Sequence, residues 1–383
     1  MYRRLVLVAT VAVAAAGLAV QSAPSSAQML VGVYDEPHTL YGNPDFYFPI
    51  LKTLRTQVLR VNLYWGGKFG VANGKPFDAT DPADPAYNWI LYDRTVNYAS
   101  QYGVRVLFSI YGTPSWANGG AGPNHAPASP QELQDFAFAA AIRYSGTYPG
   151  ADGRLLPPVR LWLAWNEPNN PVFLSPQYRR VKGKWEIQSA ADYAKICAAV
   201  YNGVHETTIA GEQVACGATA PRGNNSPGSS RPSVSPLAFL RALKAAGLTQ
   251  FDAYAHHPYY GSPNETPTTQ PHGARGAAAT AVTLANIGTL IGQLTRLYGK
   301  KPVWLTEYGY QTNPPDREFG VSWALQAKYL TQAFAIARRN PRITMMLWFM
   351  VQDEPILNGW QSGFLTATGA KKPSFDAFRA LPH

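Results

Sequence analysis

Short apolar runs alternate with longer amphipathic stretches along most of this chain. Each run is rich in Val, Leu, Ile or aromatic residues, which is the pattern of strands buried on both faces of a parallel sheet. The pattern predicts eight strands, at Leu30–Tyr34, Val58–Leu63, Arg105–Tyr111, Val159–Trp165, Val214–Ala218, Phe251–Ala255, Val303–Thr306 and Thr344–Met350.

Helical sequence separates these runs. Ser129 is a predicted N-cap, and Glu132, three residues later, completes a capping box. Another helix is predicted to begin at Ser235-Pro236 and to end at Gly247. Eight strands that alternate with helices through right-handed crossovers close into a barrel, so the sequence predicts the α/β class and a single (β/α)8 TIM barrel.

Loop lengths predict which end of the barrel carries the site. The connections at 168–187, 221–234 and 258–276 all follow strands and are long, whereas most connections after helices are short. Active sites of such barrels lie on the face that the loops after the strands build. We therefore expect one catalytic barrel domain over residues 28–383, with elongated loops at its C-terminal face.

The N-terminal residues have the composition of an export signal. Arg3 and Arg4 precede an apolar run from Leu5 to Val20, and the small residues around Ala27 offer a cleavage site. The run is short for a membrane anchor, which is the alternative interpretation. We expect a signal peptide at residues 1–27 and a secreted, extracellular mature protein.

Composition and charge bear on the partners. The chain has 383 residues, 46% of them hydrophobic, and a formal net charge of +10. Its densest basic segment, Arg179–Lys184, is short, and nothing predicts a basic face with stacking aromatic residues. We expect a solvated basic surface, no nucleic-acid partner and, after signal removal, no membrane partner. A preference for acidic polymers and the oligomeric state both stay open.

The chain has two cysteines, Cys197 in a helical stretch and Cys216 in the strand that follows. In an exported protein they either pair or remain as two buried thiols, and the sequence favours neither. Two cysteines are too few for a zinc site of their own.

Two carboxylates follow strands in equivalent positions. The fourth strand ends in Trp165-Asn166-Glu167-Pro168, and the seventh ends in Thr306-Glu307-Tyr308-Gly309. Glycoside hydrolysis uses such a pair, one protonating the leaving oxygen while the other attacks the anomeric carbon or activates water. Carboxyl groups roughly 5–5.5 Å apart predict retention, and a gap of roughly 6.5–9.5 Å predicts inversion.

These two motifs together resemble clan A of the glycoside hydrolases, the retaining barrel enzymes that include cellulases, mannanases, β-xylosidases and arabinofuranosidases. The resemblance covers essentially the whole mature chain. It implies that Glu167 is the general acid/base, that Glu307 is the nucleophile, and that Asn166 binds the sugar 2-hydroxyl.

Other strand ends add to the resemblance. It implies that Arg60 contacts the nucleophile, that His257 and Tyr259 form the clan's His-x-Tyr, and that Trp348 is an aromatic floor beneath the sugar. Trp116 lies in Thr113–Ala117, a segment similar to family 39 β-xylosidases, and is a further sugar-binding candidate. The second His that is common in family 5 cellulases is missing after the third strand.

The sequence lacks the motifs of other catalytic mechanisms. The sequence has no Gly-x-Ser-x-Gly elbow, no His-Glu-x-x-His zinc motif and no dinucleotide fingerprint after a strand. The expected partner is an oligo- or polysaccharide, with no metal and no organic cofactor. Two alternatives remain: a catalytically inactive carbohydrate-binding barrel, and a transglycosylase that uses the same residues.

Overall fold

The computed structural model describes residues 29–271, 279–357 and 359–383, so the predicted signal peptide lies outside the described residues. Eight parallel strands close into a barrel, with helices between them, which confirms the predicted fold. The strands are β1 Leu30–Tyr34, β2 Val58–Tyr64, β3 Arg105–Tyr111, β4 Leu161–Ala164, β5 Tyr178–Val181, β6 Lys184–Ile187, β7 Gln213–Thr219, β8 Ala253–His256, β9 Val303–Tyr308 and β10 Ile343–Phe349. All of these except β5 and β6 belong to the barrel.

The helices surround the barrel. They are α1 Glu36–Thr39, α2 Pro44–Thr53, α3 Ile90–Gln101, α4 Pro130–Arg143, α5 Gln188–Glu206, α6 Pro236–Ala245, α7 Ile287–Tyr298, α8 Trp323–Arg338 and α9 Pro373–Arg379. Within the described ranges, no helix combines the length and the apolar character that a membrane crossing requires.

The predicted capping box at α4 is wrong in its chemistry. Ser129 is the N-cap residue, but its side chain makes no capping hydrogen bond. The Glu132 carboxylate instead accepts a hydrogen bond from Lys75 Nζ at 3.0 Å. The partner of Glu132 is thus a lysine that lies far from it in the sequence, which the local sequence pattern does not reveal.

Alternation along the strands divides the core into two shells. One cluster fills the barrel and comes from inward positions: Val58, Leu107, Leu161, Leu163, Ala215, Ala218, Ala253, Ala255, Trp304, Met345 and Leu347. The larger cluster lies between the barrel and the helices and takes the alternate positions, such as Leu59 and Val61 of β2. The inner shell seals the barrel below its mouth, so the site can form only at the open end.

Two features within the predicted loops and strands became visible only in three dimensions. The connection at 168–187 contains an antiparallel hairpin, β5–β6, where the sequence predicted only a loop. Cys197 of α5 and Cys216 of β7 form a disulfide, with their Cα atoms 5.9 Å apart. The disulfide fixes a helix to the barrel wall on the outer side.

Candidate active site

The two predicted carboxylates meet at the C-terminal mouth of the barrel. Glu167 follows β4, and Glu307 is the next-to-last residue of β9. A carboxylate oxygen of Glu167 and one of Glu307 lie within 4.8 Å of each other. Their side chains are only 13% and 10% exposed. This separation is close to that of the carboxylates of retaining glycosidases. It is shorter than the separation in inverting glycosidases, which leaves room for a water molecule.

The backbone that carries Glu167 is unusual. Trp165 and Glu167 have φ angles of +67° and +36°, in the left-handed region that non-glycine residues seldom adopt. Glu167 N donates to the Ala218 carbonyl oxygen at 2.9 Å, which ties the turn to β7. Such backbone strain clusters at functional sites, because the surrounding structure must hold it in place.

Arg60 is the centre of the polar network beneath the carboxylates. It projects inward from β2 and is fully buried. Its Nη1 donates to Glu307 Oε2 at 3.3 Å, and its Nη2 donates to Asn166 Oδ1 at 2.6 Å. The guanidinium also lies 4.2 Å above the ring of Tyr34. The fork thereby links the ends of β4 and β9 and fixes the orientation of Asn166.

His257 bridges the two carboxylates. Its Nδ1 is 3.0 Å from Glu167 Oε1 and 3.6 Å from Glu307 Oε2. Burial lowers the pKa of His257 to about 3, so the ring is neutral. Arg60 Nη1, a donor only, is 3.2 Å from the His257 Nε2 atom, which must therefore accept. The proton is then on Nδ1, which donates to Glu167.

Burial raises the pKa of both carboxyl groups. It raises that of Glu167 to about 7, against the opposing hydrogen bond from Asn170 and the charge of Arg60. It also raises the pKa of Glu307, where His257, Arg60 and the Tyr259 hydroxyl act in the opposite direction. Tyr259 OH donates to Glu307 Oε1 at 3.0 Å. Arg60 therefore favours an ionised Glu307, but burial has the larger effect on the pKa of this carboxyl group.

A cavity of about 800 Å³ opens above this network. Glu167, Glu307, Asn166 and Tyr259 all line it, whereas Arg60 and His257 lie beneath its surface. The sequence interpretation missed several lining residues, among them Tyr34, Glu36, Asn62, Tyr64, Arg222 and Trp360. Asn62 and Tyr64 follow Arg60 at alternate positions of β2, so the inward period of that strand could have found them.

Two predicted sugar-binding residues lie elsewhere. Trp348 is fully buried in the outer shell, and its Nε1 donates to the Ser362 carbonyl oxygen at 2.8 Å. Met345 and Leu347 take the inward positions of β10, so Trp348 faces the helices and cannot be the floor of the cavity. Trp116 packs edge-on against the outer-shell Trp65 and donates to the Ala72 carbonyl oxygen, away from the cavity.

Glu167, His257 and Glu307 form the one group among the described residues that could ligate a metal ion. One ligand atom from each of Glu167, His257 and Glu307 fits within 4.8 Å. Hydrogen bonds from Arg60, Tyr259 and Asn170 already occupy their oxygens. The guanidinium beside Glu307 also repels a cation, so this donor set is poorly suited to holding one.

A closed barrel with two facing carboxylates in a cavity at its mouth is the arrangement on which many glycosidases are built. The chain belongs to the glycosyl hydrolase catalytic core family, whose sequence model matches residues 154–377. A search of curated proteins finds no match.

Solved structures share the fold at low identity. A family 39 glycoside hydrolase from Bacteroides cellulosilyticus WH2 is 19% identical, with a TM-score of 0.60 over 92% of this chain and 63% of that chain. A family 39 β-xylosidase from Caulobacter crescentus is 18% identical, with a TM-score of 0.58 over 92% and 70%. A fungal β-1,4-galactanase structure is 14% identical, with a TM-score of 0.59 over 93% and 100%. This chain thus spans less than two thirds of the Bacteroides enzyme.

Proposed function

We propose that this chain is a retaining glycosidase that cleaves O-glycosidic bonds of an extracellular glycan by double displacement. The observation that carries the proposal is the separation of Glu167 and Glu307, whose carboxylate oxygens approach within 4.8 Å across one cavity. A retaining nucleophile must reach the anomeric carbon directly, with no water between.

In the first step, a Glu307 oxygen attacks the anomeric carbon while Glu167 gives its proton to the departing glycosidic oxygen. The leaving alcohol departs, and the sugar is bound to Glu307 as an ester. In the second step, ionised Glu167 takes a proton from water, the water oxygen attacks the anomeric carbon, and Glu307 leaves as a carboxylate. The raised pKa of Glu167 suits this group to both roles near neutral pH.

The polar network supports this assignment of roles. Arg60 and Tyr259 each donate to Glu307, which favours its ionised form before attack. The Nδ1–H of His257 points to Glu167 and stabilises the carboxylate that remains once Glu167 has given up its proton. Asn166, held by Arg60 next to the acid/base, is the proposed partner of the sugar 2-hydroxyl.

Two features support export. The sequence of residues 1–27 fits a cleaved signal, and the disulfide between Cys197 and Cys216 suits an oxidising compartment. N-terminal sequencing of protein recovered from the culture medium should show a mature chain that begins after residue 27. A chain that stays with the cells would contradict export.

The test of the proposal is the variant Glu307→Gln on an aryl glycoside panel. The amide cannot form the glycosyl ester, so turnover should fall by at least roughly 10⁴-fold. Proton NMR of the first product should show retained configuration, and a 2-fluoro glycosyl fluoride should label Glu307. Turnover that survives in Glu307→Gln, or an inverted product, would overturn the proposal.

The same experiments separate the alternatives. A binding barrel would give neither turnover nor a labelled ester. A transglycosylase would give the labelled ester but would favour glycosylated products over free sugar at high acceptor concentration.

A further inference from the structure

Two loops at the barrel mouth carry a strong excess of positive charge. The loop after β4, residues 168–187, and the loop after β7, residues 221–234, together contain six basic residues and one acidic residue, Glu186. The six basic residues are Arg179, Arg180, Lys182, Lys184, Arg222 and Arg231. Charge of one sign that is gathered on one side of a site attracts ligands of the opposite sign.

The two loops form one continuous surface. Val234 N donates to the Asn169 carbonyl oxygen at 3.0 Å, and Asn169 Nδ2 donates back to the Val234 carbonyl oxygen at 2.9 Å. Tyr178 OH donates to the Ser233 carbonyl oxygen at 3.4 Å. Because Tyr178 is the first residue of β5, these contacts place the β5–β6 hairpin beside the loop after β7.

The hairpin is tight and holds a cation beside an exposed aromatic ring. Lys182 and Gly183 form its two-residue turn, with φ angles of +47° and +79° that match the twist of the flanking strands. Arg180 and Trp185 lie directly opposite each other, and the guanidinium is 5.4 Å from the centroid of the indole ring. Trp185 is 49% exposed, so both groups are open to a ligand.

Most of these cations have no acidic partner. Arg179 pairs with Glu186 at 3.5 Å, and both side chains are about half exposed, so this ion pair is weak. Among the described residues, no carboxylate lies within ion-pair distance of the other three hairpin cations or of Arg231. Arg222 is less available, because its Nη1 donates to the Tyr260 carbonyl oxygen at 3.0 Å.

Arg231 connects the hairpin to the cavity. It lines the same cavity as Glu167, although it lies far along the loop after β7. Asn224 Nδ2 donates to the Arg231 carbonyl oxygen at 2.9 Å, which holds that part of the loop in place. A polymer that leaves the cavity past Arg231 therefore continues toward the hairpin.

We propose that these loops form a basic track for an acidic polysaccharide, made of Arg179, Arg180, Lys182, Lys184 and Arg231. The inference rests on the proposed function and names its substrate class, a polymer whose sugars carry carboxylate groups. Guanidinium forks pair well with carboxylates, and Trp185 offers an apolar face to a sugar ring. Continuity with the cavity favours a glycan over a membrane, since the polymer that is cut also occupies the track.

The experiment measures binding to immobilised polymers by biolayer interferometry, in the Glu307→Gln background so that no polymer is cut. The first polymer is polygalacturonate. The second is the same polymer with its carboxyl groups reduced to alcohols, and the third carries a sulfate ester in place of each carboxylate. Sedimentation with phosphatidylserine vesicles tests a membrane as the alternative partner.

Two triple variants remove the same amount of charge from different places. The track variant is Arg180→Gln/Lys182→Gln/Arg231→Gln. The matched control changes exposed cations on the outer helices α5 and α7 and just after α7, and is Lys195→Gln/Arg296→Gln/Lys300→Gln. A further variant, Arg180→Lys/Arg231→Lys, keeps the charge of the track.

We expect polygalacturonate to bind, and to bind more weakly as the ionic strength rises above about 0.1 M, because exposed charges are screened. Reduction of the carboxyl groups and the track variant should each weaken binding by roughly 10-fold or more. The matched control should stay within about 2-fold of the parent protein, and the lysine variant within about 3-fold.

Equal losses in the two triple variants would overturn the inference, since binding would then follow net charge alone. So would a lysine variant as weak as the track variant, which would indicate an effect on loop structure. Equal binding of the reduced polymer, tighter binding of the sulfated one, or binding to vesicles without binding to polygalacturonate would each overturn it as well. Turnover by Glu307→Gln would instead contradict the proposed function.

Discussion

At the residue scale, the protonation of Glu167 depends on two neighbours that its own motif does not contain. Asn170 Nδ2 donates to Glu167 Oε2 at 3.2 Å, and His257 Nδ1 donates to Glu167 Oε1 at 3.0 Å. Burial raises the pKa of Glu167 to about 7. Hydrogen-bond donors to the carboxylate favour its ionised form and therefore act against this effect of burial. Asn170 is therefore a positioning residue that tunes the proposed acid.

The rate should fall as the pH rises through about 7, because the first step needs a protonated Glu167. Asn170→Ala removes a donor to the charged form, so the pKa of Glu167 should rise and the alkaline limb of the kcat/KM profile should move to higher pH. Asn264→Ala, at an exposed loop position, is the control and should keep the wild-type profile. An unmoved limb, or one that moves to lower pH, would show that Asn170 does not act on the acid.

At the element scale, sequence patterns predicted the positions of the strands but not the direction in which their side chains face. Strand positions were predicted to within two residues at each end, because apolar runs bounded by turns mark buried strands well. The sequence did not predict which side chains of these strands face the barrel interior and which face the helices. A strand that is buried on both sides has no polar–apolar alternation that would distinguish its two faces. Trp348 was therefore assigned to the cavity although it faces the helices.

The disulfide between α5 and β7 is an element-scale stabiliser. It closes a loop with a sequence separation of 19, which restricts the unfolded chain by roughly 3 kcal/mol. The double variant Cys197→Ala/Cys216→Ala should lower the free energy of unfolding by about that amount, as urea titration would measure. Both cysteines belong to the outer shell, so kcat should stay unchanged at temperatures where the variant is folded. An unchanged free energy of unfolding would contradict this account.

At the scale of the whole molecule, a buried ion pair connects the two loops that follow β9 and β10 at the barrel mouth. Lys372 Nζ donates to Asp353 Oδ1 at 2.7 Å, to Thr312 Oγ1 at 2.8 Å and to the Gln361 carbonyl oxygen at 3.1 Å. The Lys372 side chain is fully buried and that of Asp353 is 2% exposed. The pair joins the two ends of the β10–α9 loop, which carries Trp360, and attaches them to the loop after β9.

Lys372→Met should destabilise the protein by about 3–5 kcal/mol, because it leaves the Asp353 charge buried without a partner. The double variant Lys372→Met/Asp353→Asn should recover part of that loss, since it removes both charges. Urea titration measures the two free energies of unfolding. A double variant that is less stable than the single one would show that the charge of Asp353 is not the cause.

The sequence by itself determined the order of strands and helices, the barrel, and the two glutamates at strand ends, because these follow from local periodicity and from motifs of adjacent residues. Only the tertiary structure decided that Cys197 and Cys216 pair, that His257 bridges the carboxylates, and that Trp360 rather than Trp348 faces the cavity. These outcomes depend on which side chains meet across distant segments, and on a balance of burial against charge that no local pattern encodes.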